Sequence, residues 1–120
     1  MIIKIKALSV NKAWKGKRFK TPEYKAYEEE LLLILPRLKV PNKTKLRLTI
    51  IVGFSNKGSD LSNMLKLFED ILQKKYGFDD KMNYEIFMKK EIVTKNNEFI
   101  DFGIYDIDNN IKICDQFQQN

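Results

Sequence analysis

The densest set of residues able to do chemistry runs from Ser59 to Asp80. It reads Ser59-Asp60-Leu61-Ser62-Asn63-Met64-Leu65-Lys66, then Glu69-Asp70, then Asp79-Asp80. If a helix starts at Asp60, then Asn63, Leu67 and Asp70 continue roughly its side, with Lys66 near the same edge. A turn after Gly77 can return Asp79 and Asp80 beside that helix. Carboxylates brought together repel one another, and their pKa values rise unless a cation sits between them. Mg²⁺ takes one or two carboxylates, several waters and phosphate oxygens, and this set has ligands of that type. Plainer roles are available to the same residues: Asp60, Ser59 or Ser62 as a helix cap, Asp70 as the i,i+4 partner of Lys74, Asp79-Asp80 as turn residues. Lys66 before Asp70 is the weaker order for a helix-surface pair. Spacing alone leaves both readings open.

A second set lies upstream. Residues 11–20 hold Lys12, Lys15, Lys17, Arg18 and Lys20 with no acid among them, interleaved with Trp14 and Phe19. Cations neutralise phosphates with release of counterions, and aromatic rings stack on exposed bases, so the segment suits a polyanion. A solvated basic loop with Trp14 packed at the edge of the core is the alternative. Nearly the whole formal net charge of +6 resides in this one segment.

What the chain lacks narrows the chemistry further. There is no histidine, which excludes Ser-His-Asp and Cys-His nucleophiles and the usual base near neutral pH. One cysteine, Cys114, allows neither an intramolecular disulfide nor a thiolate zinc site. Carboxylate, lysine, hydroxyl and a hard metal ion remain. The longest apolar run, Leu31 to Leu35, is far short of the roughly 20 residues of a membrane span. Met1 to Leu8 alternates Lys with Ile and has no signal-peptide pattern. A soluble, cytoplasmic protein is expected, without membrane or disulfide partners.

The elements that must carry these residues follow from period and punctuation. Ile2 to Leu8 alternates as a strand, and Ser9 to Thr21 reads as a loop. Thr21-Pro22-Glu23 opens a helix with a cap, a first-turn proline and an acid. Tyr24, Tyr27, Leu31, Ile34 and Leu35 form its apolar face until Pro36. Lys45 to Phe54 alternates as a strand. A second helix spans about Asp60 to Tyr76, buries Leu61, Met64, Leu65, Phe68, Ile71 and Leu72, and stops at Gly77. Tyr84 to Val93 and Glu98 to Ile107 read as strands of a hairpin turning at Lys95-Asn96-Asn97. The expected fold is a single α+β domain over 1–110, β-α-β-α-β-β, a mixed sheet with two helices on one face. A polar tail is expected over 111–120. At 120 residues the chain supports one core.

Taken in order, these features resemble the RusA family of Holliday junction resolvases over roughly Ile3 to Ile107. The likeness rests on Asn11 after the first strand, the basic segment, the Thr-Pro-x-Tyr-x-x-Tyr helix, Asp60-Leu61-Ser62-Asn63-x-x-Lys66-x-x-x-Asp70, and Gly77-Phe78-Asp79-Asp80. The family pattern is Asp-x-Asp-Asn-x-x-Lys-x-x-x-Asp followed by an acidic pair. The resemblance implies catalytic roles for Asp60, Lys66 and Asp80, and Mg²⁺ (or Mn²⁺) held by Asp60 and Asp80 with Asp79 or Asp70. It further implies DNA contacts from Asn11, Lys12, Trp14, Lys15, Lys17, Arg18, Lys20 and Asn63. The implied protein is a homodimer that nicks four-way DNA junctions symmetrically, in a bacterial or phage-infected cell. One position departs: Ser62 stands where the family carries a second catalytic Asp, and a neutral hydroxyl is a poorer ligand for a hard cation. A branched-DNA-binding dimer that cuts weakly or not at all, and a general basic nucleic-acid-binding protein, are the competing readings.

Overall fold

Leu46–Phe54 (β4) is apolar on both faces over its second half, with Ile50, Ile51 and Val52 all buried, and such a strand belongs at the centre of a sheet. In the computed structural model, which describes residues 1–15 and 19–115, it has a partner on each side. Asn83–Ile92 (β5) runs parallel to it and Phe99–Asp106 (β6) antiparallel. The outer edge of β6 is shared end to end by Ile2–Ile3 (β1) and Ile111–Cys114 (β7). The sheet is therefore mixed, and among the described residues β5 is its long free edge.

Two helices close the core as expected. Pro22–Ile34 (α1) starts where Thr21 accepts the Tyr24 N–H on its hydroxyl, with proline at the first position. Leu61–Tyr76 (α2) is capped by Asp60 and ends at Gly77, whose φ of 77° is the left-handed conformation that a Cβ disfavours. Parallel pairing of β4 and β5 requires a crossover, and α2 supplies it. Tyr24, Tyr27, Leu31, Met64, Phe68 and Ile71 pack with Leu48, Ile50, Val52, Ile100 and Phe102 into one core. The sheet's other face carries Arg47, Glu85 and Lys89.

Several expectations are corrected. β5 and β6 do not form a hairpin; residues 93–98 arc over the end of β4, where Val93 N–H donates to the Phe54 carbonyl at 2.8 Å. The charged run Lys89-Lys90-Glu91 suits an edge, while β4 requires apolar neighbours on both sides. The first strand stops at Ile3 rather than Leu8, because its antiparallel register meets the start of β6 at Phe99 and has nothing further to pair with. Residues 111–114 are no tail: β7 pairs with β6, and Cys114 is 4% exposed. The segment 9–21 is not a plain loop either. It holds a 3-10 turn, Val10–Lys12, and a two-stranded ribbon of Trp14–Lys15 (β2) and Phe19–Lys20 (β3). On α1, Ile34 is 45% exposed and its place in the core is taken by Leu35. On α2, Leu67 is fully buried and Leu65 only in part. The helix packs against the sheet, α1 and the 3-10 turn, so its apolar arc is wide.

Candidate functional site

The helix α2 and the turn after it position the acids. Asp60 lies just ahead of the first helical residue, and one of its oxygens (Oδ1) accepts both the backbone N–H and the hydroxyl of Ser62, at 3.2 and 3.1 Å. One and a half turns on, the Lys66 ammonium sits between two carboxylates, 3.1 Å from Asp70 and 3.3 Å from Asp80. Hydrogen bonds to Asp70 and then to Asp80 raise the Lys66 pKa, which keeps it charged.

Asp80 reaches Lys66 because its segment is clipped to α2. Its backbone N–H donates to the Gln73 side-chain carbonyl at 3.1 Å, while Asp79 caps the 3-10 turn Asp80–Met82 by accepting the Lys81 N–H. That backbone N–H is the main cause of the lowered Asp79 pKa. Glu69 stands beside the pair. Burial raises its pKa, the Asn83 amide at 2.9 Å opposes that shift, and the charge of Asp80 adds to it.

Two sequence readings of this region change. Lys74 does not pair with Asp70; it crosses to Glu28 on α1, which also holds Lys20. Burial tends to raise the Glu28 pKa, but hydrogen bonds from Lys74 and Lys20 outweigh it and the carboxyl stays charged. Glu28 is the less exposed acid, so it has more to gain from two cations. Asp60, Asn63, Leu67 and Asp70 do not make one exposed line, since Leu67 is in the core.

The basic segment meets the same helix at its start. The 3-10 turn Val10–Lys12 packs on α2, and Thr21, the cap of α1, donates its hydroxyl to the Lys12 carbonyl at 2.6 Å. A cleft of about 370 Å³ results, lined in part by Asn11, Lys12, Glu23, Asp60, Asn63 and Met64. Trp14 packs edge-on against Tyr24 (centroids 5.4 Å apart) yet remains 38% exposed. Phe19, absent from the expected DNA contacts, is 73% exposed. Lys20 is held by Glu28 and lies over the Tyr24 ring, whereas Lys15 is exposed and makes no ion pair with the described residues. Lys17 and Arg18 lie outside the described residues.

The structure thus brings together Asn11, Lys12, Asp60 and Asn63 in one cleft, and Lys66, Asp70 and Asp80 in one clasp. Among the described residues no three acidic side chains gather closely enough to hold a metal by themselves. Asp70 and Asp80 are hard-oxygen donors of the type and number that Mg²⁺ takes, since its other ligands come from water and phosphate, but here both hold Lys66, and Asp60 belongs to the other cluster, so the expected Asp60–Asp80 pair is not brought together. The sequence named both clusters, Glu69 included, but missed Gln73 and Asn83, the amides that fix the clasp. Their one sequence signal is position on the helix face and at the strand start that bracket Asp80. No protein-family model matches the chain, and a search of curated proteins finds no match. Among the described residues no helix is long and apolar enough to cross a membrane, and the single cysteine, Cys114, is free.

Proposed function

We propose that this chain is a metal-dependent endonuclease that resolves four-way DNA junctions as a homodimer, in the manner of the RusA resolvases it resembles. One arrangement carries the reading. Along α2, the acid at the helix start shares a cleft with Asn11 and Lys12 of the basic segment, and Lys66 further along gathers Asp70 and Asp80. A backbone drawn in by the basic segment would pass from cations to carboxylates on a single helix.

In place of the Lys66 ammonium on Asp80, Mg²⁺ or Mn²⁺ would be held by Asp60 and Asp80 with Asp70 or Asp79, and when bound it supplies an activated water and neutralises charge on the phosphate. Lys66 contributes positive charge beside the same phosphate, where charge grows in the transition state. Lys12, Lys15 and the adjacent Lys17 and Arg18 bind the strands electrostatically. None of these roles requires a histidine.

A second reading is favoured by a specific observation. The Ser62 hydroxyl donates to Asp60, so this position occupies a lone pair of the acid where a second carboxylate would add charge. A junction-binding dimer with little or no cleavage would result.

Incubation with labelled four-way junction in Mg²⁺, Mn²⁺ or EDTA separates the readings. Paired, metal-dependent nicks are expected, with Asp60→Asn and Asp80→Asn each abolishing them while junction binding persists. Binding without nicks in either metal would establish the second reading. Equal affinity for junction and plain duplex would overturn both in favour of a general basic binder.

A further inference from the structure

The free edge of the sheet has the composition of an interface. β5 is 10 residues long, contains no proline, and among the described residues pairs only with β4. Its row of unmatched backbone donors and acceptors carries Ile86, Phe87 and Ile92 at 40%, 57% and 47% exposure. An edge of this length and hydrophobicity is a template for another strand. Its charges choose the partner.

A two-fold axis perpendicular to the sheet pairs an edge strand with its own copy antiparallel, each residue facing one of the same side-chain orientation. Centred on Glu85, Lys89 or Lys90, the pairing sets like charges face to face. Centred on Met88, it places Glu85 opposite the partner's Glu91. Centred on Ile86, it leaves Glu85, Lys89 and Lys90 without an opposite charge. Centred on Phe87, it places Glu85 opposite the partner's Lys89 twice over, flanking a Phe87–Phe87 contact. On the other face Ile86 meets the partner's Met88, which extends the core across the seam. Within one copy Glu85 already holds Arg47 at 2.9 Å, and Lys89 approaches Glu91 only at 3.8 Å. Lys89 is therefore the group with most to gain.

We infer that β5 is the seam of a symmetric dimer of this chain, paired antiparallel about Phe87, with Glu85 of each copy facing Lys89 of the other. Such an axis keeps both α2 helices on the same side of one continuous sheet, so both candidate sites face one substrate. The inference locates the homodimer of the proposed function, but it rests on the edge strand alone.

Sedimentation analysis of the DNA-free protein tests it without any reading of cleavage. The wild type is expected to be a dimer. Lys89→Glu and Glu85→Lys should each weaken association about tenfold (about 1.4 kcal/mol), because two attractive pairs become two repulsive ones. The double variant E85K/K89E should recover most of the loss, although it lacks the Arg47 contact. That recovery separates a seam from damage to the fold. A wild type that stays monomeric at its solubility limit, or a dimer indifferent to both single reversals, would overturn the inference. Neither result bears on whether junctions are cut.

Discussion

Ser62 is the second residue of α2, exposed, and bonded to Asp60 through both its N–H and its hydroxyl. A carboxylate here would be favoured by the helix N-terminus by about 0.3–1 kcal/mol and opposed by the charge of Asp60. The two effects nearly offset, so Ser62→Asp should leave the metal-free protein about as stable as the wild type. Added Mg²⁺ should then raise the melting temperature of the variant more than that of the wild type, since a ligand that binds only the folded state stabilises it by mass action. Cleavage should saturate at lower Mg²⁺. Identical metal dependence in the two melting series would remove Ser62 from the metal's surroundings. Asp60, with two donors already on one oxygen, has its other oxygen left to turn outward.

The ribbon β2–β3 divides its aromatic residues between two jobs. Trp14 packs on Tyr24 and joins the edge of the core, so Trp14→Ala should lower unfolding stability by about 1–3 kcal/mol, less than a fully buried Trp would cost. Phe19 is the more exposed ring and the better stacking platform. Phe19→Ala should leave the urea midpoint unchanged and weaken binding to junctions with unpaired bases by about 1–3 kcal/mol. The ribbon's lysines divide likewise. Lys15→Ala should reduce the slope of log affinity against log salt by about 0.9, whereas Lys20→Ala should cost folding stability through Glu28 first. An unaltered salt slope in Lys15→Ala would make this element a solvated surface. Equal loss of stability in Trp14→Ala and Phe19→Ala would contradict the division.

At the scale of the whole molecule, β7 closes the outer edge of β6 and inserts Cys114 into the core, where burial raises the thiol pKa. A chain truncated after Asn110 loses that strand and leaves the β6 edge open. It should be destabilised by at least about 2 kcal/mol, the scale of a lost core side chain. Urea unfolding of the truncated and full chains measures this directly, and coincident midpoints would return residues 111–114 to the status of a tail. Among the described residues the same closure leaves β5 as the long edge still open, so the part of the molecule free to meet a second copy follows from how its other side is sealed.

Helix limits were legible because their signals are local: Thr21 before Pro22, Asp60 at the start of an apolar period, and Gly77 in the conformation that a helix stop requires. The alternation of Leu46, Leu48, Ile50 and Val52 marked β4 in the same way, and the absence of histidine bounded the chemistry without any structure. Strand partners were not legible. The Asn96-Asn97 turn has the composition of a hairpin, yet β4 draws β5 and β6 to its two sides because its own apolar faces have more area to bury than either neighbour could offer the other. β7 escaped notice because four residues, Ile111 to Cys114, alternate too briefly to stand out from polar neighbours. In the site, the sequence alone set which acids and lysines are present and on which side of α2 most of them start. Only the tertiary structure decided that Lys66 is clasped by Asp70 and Asp80, and that Lys74 crosses to Glu28. Ion pairs between elements depend on which helix lies within a side chain's reach and on which carboxylate is least hydrated, and neither is written in the spacing of the chain.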